Sequence, residues 1–252
     1  MATIAIGDIH GNLAALDDLL GQLKREVGPG DVMVFLGDYI DRGPDTKGCI
    51  DRILALQHEM PGAVECLCGN HDDWLLRTLR GSRQHTWLLA TDAFKTIESY
   101  SVEAARVVRE AASKAGAALY GDNCPLPYEV FFDTVPAEHI QFFESLRPYY
   151  QSPDCVCTHG GLDPGVASVH EQSRYDLIWG GDGFPDSYDG PETVVYGHRN
   201  NAILNAEGWP LPKIVGRTLG IDTISHGVLT AVRLPDRRVF QSARFQERSS
   251  GV

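Results

Sequence analysis

Short apolar runs that end in glycine and then a polar residue recur along this chain. TIAI (3–6) leads into Gly-Asp, and DVMVFLGD (31–38) and AVECLCGN (63–70) repeat the form with Gly-Asp and Gly-Asn. Apolar, β-branched runs of this length are strand signals. Between them, NLAALDDLLGQLKREV (12–27) has apolar residues at helical spacing and stops at Gly28-Pro29-Gly30. DTKGCIDRILALQHEM (45–60) reads as a second helix closed by Pro61-Gly62, and DDWLLRTLRG (72–81) begins a third. This alternation predicts βαβ units around a largely parallel inner sheet.

Residues 84–124 break the rhythm, with a mainly helical pattern and no strand, so they are expected to form a cap inserted into a single domain spanning 1–252. PAEHIQFFESLRPYY (136–150) reads as one more amphipathic helix. The strand pattern then returns in DCVCTHGG (154–161), ETVVYGH (192–198), TLGIDT (218–223) and GVLTAVRL (227–234). The last pair and RRVFQSARF lack intervening helices, which predicts antiparallel pairing among them. The closing QERSSGV (246–252) is expected to fray.

Composition narrows the classes. A chain of 252 residues with 43% hydrophobic content can bury a sizeable core. Its formal charge is −12, and no Lys/Arg run suggests a nucleic-acid or membrane surface. The start of the chain has no basic, apolar leader, and no stretch approaches the 18 apolar residues of a membrane span. A cytoplasmic monomer is expected. Any anionic substrate of so acidic a protein needs local positive charge from metal ions or a few arginines. Six cysteines (49, 66, 68, 124, 155 and 157) read as free thiols, and the two C-x-C pairs lie on single strand faces as small hydrophobes.

The polar residues that follow the apolar runs are the informative ones: Asp8 and His10, Asp38 and Asp41, Asn70 and His71, His159, and His198. In α/β sheets, loops leaving the carboxyl ends of strands converge on sites. Any one Gly-Asp or Gly-His is ordinarily a turn or a structural histidine, but five strand ends with the same cargo point to metal. Carboxylates, imidazoles and an amide suit Mn²⁺, Fe²⁺ or Zn²⁺. Two such ions about 3.5–4 Å apart can share a carboxylate and activate a water for in-line attack on phosphorus.

GDIHG (7–11), GDYIDRG (37–43), GNHD (69–72), HGG (159–161) and GH (197–198) together resemble the signature of the phosphoprotein phosphatase (PPP) superfamily of metallophosphoesterases, in the branch of bacterial and phage enzymes that includes the lambda phosphatase. The resemblance implies an α/β fold, a β-sandwich of mixed sheets flanked by helices. It implies two divalent ions, Mn²⁺ first with Fe or Zn as alternatives. Asp8 and His10 would hold the first ion, Asp38 would bridge, and Asn70, His159 and His198 would complete the second. His71 would protonate the leaving group, oriented by Asp41, and Arg42 would grip phosphate alongside Asn70 and His71. Attack would be direct, with no phosphoenzyme.

Two departures from that pattern stand out. Where relatives carry Trp-x-Arg, this chain has Trp179 followed by Gly181, leaving Arg199 or Arg174 to supply the second phosphate contact. The segment after Trp87 also lacks the paired glycines of related caps. Of the remaining histidines, His58 and His139 lie in helical patterns, and His226 sits near a strand end facing the site. The function implied is a phosphomonoesterase acting on Ser/Thr phosphoproteins and small phosphate esters. The alternative is a dinucleoside-polyphosphate hydrolase, whose members tend to have alanine where Asp41 stands. A metal-binding scaffold without activity is a remote third reading, supported only by the missing arginine.

Overall fold

Strand alternation sorts the apolar side chains into layers. In the first run, Ile4 and Ile6 join a cluster of helical residues including Leu16, Leu19, Ile50 and Ile53, while Ala5 faces the other way into a second cluster with Val34, Cys155, Cys157, Val195 and Leu219. A computed structural model describes residues 1–60, 62–82, 84–121 and 124–245. The expected Pro61 helix stop and the 246–252 tail lie outside the described residues.

The first half holds β1 (Thr3–Ile6), α1 (Leu13–Leu23), β2 (Val32–Phe35), α2 (Thr46–Glu59), β3 (Ala63–Cys66), α3 (Asn70–Leu79), α4 (Thr86–Ala90), α5 (Ala93–Tyr100) and α6 (Val102–Ala115). The second half holds α7 (Glu129–Phe132), α8 (Ala137–Ser145), β4 (Tyr149–Gln151), β5 (Val156–Thr158), α9 (Arg174–Trp179), β6 (Val194–Tyr196), β7 (Ile203–Leu204), β8 (Pro210–Leu211), β9 (Lys213–Val215), β10 (Thr218–Gly220), β11 (Thr230–Leu234) and β12 (Arg238–Gln241).

Two five-stranded mixed sheets face each other, in the orders β12-β11-β1-β2-β3 and β4-β5-β6-β10-β9. Each has a parallel trio, β1-β2-β3 or β5-β6-β10, with antiparallel strands outside it. Helices cover the outer face of the first sheet, and α9 with Phe184 and Leu162 covers that of the second. The fold is thus the expected mixed β-sandwich flanked by helices. Among the described residues, no helix is long and apolar enough to cross a membrane.

Three sequence expectations need correction. The helix of 136–150 ends at Ser145, and Tyr149–Gln151 forms an edge strand. Pro148 explains the break, because it drives Arg147 out of helical geometry and the two tyrosines that follow favour a strand. TLGIDT and GVLTAVRL do not pair with each other: β10 lies in the second sheet, while β11 crosses to the first and pairs with β1 and β12. The third helix begins at Asn70 rather than Asp72. Asn70 and His71 are therefore fixed in its first turn, a more rigid placement than a loop.

Candidate metal centre

Each strand of the two parallel trios ends in a polar side chain. β1 leads to Asp8 and His10, β2 to Asp38 and Asp41, β3 to Asn70 and His71, β5 to His159, β6 to His198 and β10 to Asp222. The chain crowds these ends tightly. A Cβ at Gly69 would collide with Asp38 Oδ1, and one at Gly197 with Asp8 Oδ1. His10, Asp38, Asp41, Arg42 and His198 all adopt positive φ, between 45° and 73°. Left-handed backbone outside glycine costs on the order of 1–3 kcal/mol per residue and gathers at functional sites.

The side chains meet around Asp38. Its Oδ2 lies 3.5 Å from His10 Nε2 and 3.8 Å from His71 Nε2, and its Oδ1 lies 3.5 Å from His159 Nε2. Asn70 Oδ1 is 3.0 Å from His159 Nε2 and 2.8 Å from His198 Nδ1. Asp8 accepts a hydrogen bond from the His198 backbone N–H at 3.0 Å. Two trios have metal-competent atoms within 4.8 Å of one another, His10–Asp38–His71 and Asp8–Asp38–His159, and both contain Asp38.

The donors are set up as lone-pair ligands. His10 Nδ1 pairs with the Ile40 carbonyl at 2.7 Å and His159 Nδ1 with the Leu36 carbonyl at 3.0 Å. A carbonyl accepts only, so each Nδ1 carries the proton and each Nε2 presents its lone pair. Burial, then the neighbouring His71, pushes His10 well below its usual pKa, and burial, then His198, does the same to His159. His198 is lowered to about 4 by burial and then Arg199. Burial, then Asp222 and Asp38, raises Asp8 well above the carboxylate range, and burial takes Asp38 up to about 6 against the pull of His71.

His10 Nε2 and Asp222 Oδ1 are buried without a hydrogen-bond partner among the described residues. Buried orphan acceptors are rare in native proteins. Carboxylates crowded together away from water, with imidazole lone pairs beside them, are the environment a divalent cation stabilises. The residues present therefore fit metal ions.

His71 is held differently. Its Nδ1 sits 2.6 Å from Asp41 Oδ2, and its Nε2 sits 3.3 Å from Arg42 Nη2. Asp41, wholly buried, also accepts from Trp87 Nε1 at 3.1 Å and Thr96 Oγ1 at 2.6 Å. Burial opposes charge on the His71 ring, but Asp38 and Asp41 together outweigh it and raise the pKa. One buried carboxylate is thus braced by donors from α4 and α5, both in the helical segment.

Other expected residues fall elsewhere. Arg199 is exposed, and its Nη2 donates to the Trp179 carbonyl at 3.0 Å. Arg174 contacts Cys68 Sγ at 3.3 Å and Asp73 at 3.4 Å. Cys66 and Cys68 are buried on one face, and burial raises both thiols, Cys66 to about 12, which makes them inert packing. Asp72 caps the start of α3, accepting from Gly69 N at 2.9 Å, and it also accepts from Asp38 N at 2.8 Å.

Sequence reasoning missed Asp222, although GID (220–222) has the form of the other strand ends. It also missed Trp87 and Thr96 as supports for Asp41, and Arg244. Arg244 lines an open cavity of about 610 Å³ with His10, Asn12, Arg42 and His226.

Such a donor set, gathered from two facing sheets around one shared aspartate, is that of a divalent-metal hydrolase. Residues 1–227 match the model of the calcineurin-like phosphoesterases, and the chain belongs to that family of metallophosphoesterases. It is 26% identical over 280 residues to the asymmetrical bis(5'-nucleosyl)-tetraphosphatase PrpE of Bacillus velezensis, covering 98% of each chain. Serine/threonine-protein phosphatase 1 of Salmonella typhimurium is 36% identical over 84 residues, 33% of this chain. A crystal structure assigned as a diadenosine tetraphosphatase superposes with a TM-score of 0.62 at 20% identity, covering 97% of this chain and 94% of that one, and shares the fold.

Proposed function

We propose that this protein hydrolyses phosphoanhydride bonds of dinucleoside polyphosphates. The observation that carries the reading is likeness along the whole chain to a protein named for that activity, where the protein phosphatase aligns over a third of it. The open cavity beside His10 and Arg42 supports it. At about 610 Å³ it falls in the range of about 300–1,000 Å³ that holds whole small molecules. Arg42 and Arg244 line it together with His226 and one carboxylate, Asp92. The phosphomonoesterase expected from the motifs alone becomes the second reading.

Asp8, His10 and Asp38 would hold one ion, and Asp38, Asn70, His159 and His198 the other. When bound, the two ions supply Lewis acidity and an activated water. Arg42 would bind phosphate oxygens through its rigid fork. His71, with Nδ1 tied to Asp41, would hold a proton at Nε2 for the departing oxygen.

The His71–Asp41 pair favours the second reading, phosphomonoester hydrolysis. An alkoxide leaves poorly without a proton, because its conjugate acid lies near water's pKa of about 16. A phosphate leaving group ionises near pH 6 and needs far less help (about 6 for the second ionisation). A panel with Mn²⁺ separates the two, using diadenosine tetraphosphate, a phosphoserine peptide and p-nitrophenyl phosphate. The dinucleotide is expected to show the highest kcat/KM. A phosphopeptide turned over faster, with the dinucleotide left intact, would reverse the order of the readings.

A further inference from the structure

Three aromatic rings form a continuous wall on the His71 and His198 side of the centre. Trp74 follows His71 by one turn of α3, with ring centroids 5.9 Å apart. Trp179, at the end of α9, lies 5.5 Å from His198 and meets Trp74 edge-to-face at 4.9 Å. Tyr175, four residues earlier on α9, stacks on Trp179 at 6.1 Å with 19° between the ring planes. Residues four apart share a helix face, so α9 presents both rings together. Core packing does not explain Tyr175, which keeps 65% of its surface exposed. Nothing in the hydrolytic reading above uses any of the three.

We propose that Tyr175 and Trp179 are a stacking shelf for the nucleobase of the departing nucleotide, with Trp74 lining the path to it. The inference rests on the dinucleotide reading and deepens it. His71 would give its proton to the leaving oxygen, so the leaving group lies on the side of the centre where Trp74 stands. In a departing nucleotide, phosphates and ribose separate that oxygen from the base. The base therefore falls beyond Trp74, at the outer rings of the wall. A phosphotyrosine ring, bonded directly to the scissile oxygen, would stop at Trp74 and leave Tyr175 without a role. Stacking on an aromatic face tolerates any base.

The test measures affinity, not turnover. Tryptophan fluorescence of the Mn²⁺-loaded protein is titrated with a methylene-bridged, non-hydrolysable diadenosine tetraphosphate and, separately, with inorganic tripolyphosphate. Tyr175→Ala is expected to raise the dinucleotide Kd about tenfold, about 1.4 kcal/mol, while the tripolyphosphate Kd moves less than about twofold. Tyr175→Phe should restore the dinucleotide affinity, because the ring face is what binds. Equal weakening for both ligands, or no change for the dinucleotide, would overturn the shelf. Hydrolysis of diadenosine tetraphosphate by the unaltered protein is followed in parallel. Turnover with no Tyr175 effect removes the shelf alone. A Tyr175 effect without turnover keeps the shelf and removes the hydrolase reading.

Discussion

At the scale of single residues, His71 is set apart from the other side chains that crowd Asp38 by its bond to Asp41. Asp41 takes His71 Nδ1 at 2.6 Å and leaves Nε2 facing Asp38 and Arg42. With His71 as the acid, His71→Asn should lower turnover of a phosphoserine peptide by about 10²–10⁴-fold, and of diadenosine tetraphosphate by much less. Steady-state kinetics on both substrates check this, and equal losses would mean that His71 serves something other than the leaving group. The candidate residues at the strand ends were legible because each follows its own apolar run, so pattern and chemistry coincide locally. Asp222 carries the same strand-end signal in GID but lies outside the GDIHG, GDYIDRG, GNHD, HGG and GH motifs that carry the resemblance. Arg244 stands near the end of RRVFQSARF, a stretch whose pattern signals strand pairing and carries no site motif, and only the folded chain brings it to the cavity.

At the scale of elements, the helical segment contributes to the site from a distance. Trp87 on α4 is almost fully buried, and its indole N–H is shared by both oxygens of Asp41. Trp87→Phe keeps most of the packing and removes that donor. The expected loss in urea unfolding is about 1–3 kcal/mol, the usual consequence of depriving a buried acceptor. A change under about 0.5 kcal/mol, typical of neutral surface substitutions, would contradict this role. Sequence could not show the link, because Trp87 and Thr96 are 46 and 55 residues from Asp41 and only tertiary packing joins them. The strand pairs of β1, β2 and β3 were readable, whereas the crossing of β11 to the first sheet was not, since a short loop ordinarily signals a hairpin.

A second junction among helices makes stability depend on pH. His139 on α8 is fully buried, bonded to Tyr100 OH at 2.8 Å and to Asp51 at 2.9 Å. Burial lowers its pKa despite Asp51. The folded state then holds fewer protons than the unfolded chain, whose histidine titrates near 6.5, about its unperturbed value. The stability tied to neutral His139 is thus complete above that pH and is lost as pH falls through it. Thermal melts from pH 8 to 5 should fall more steeply for the unaltered protein than for His139→Gln. Parallel curves would refute the coupling.

At the scale of the whole molecule, the sandwich brings two parallel trios together so that six strand ends converge on one centre. His10 reaches Asp38 from the first sheet and His159 reaches it from the second, both at 3.5 Å. A centre of two ions sharing Asp38 follows from this convergence, and calorimetric titration of the metal-free protein with Mn²⁺ tests it most directly. Two ions should bind per chain, and Asp38→Asn should weaken both. A single ion, or a second site that Asp38→Asn leaves untouched, would contradict a shared centre.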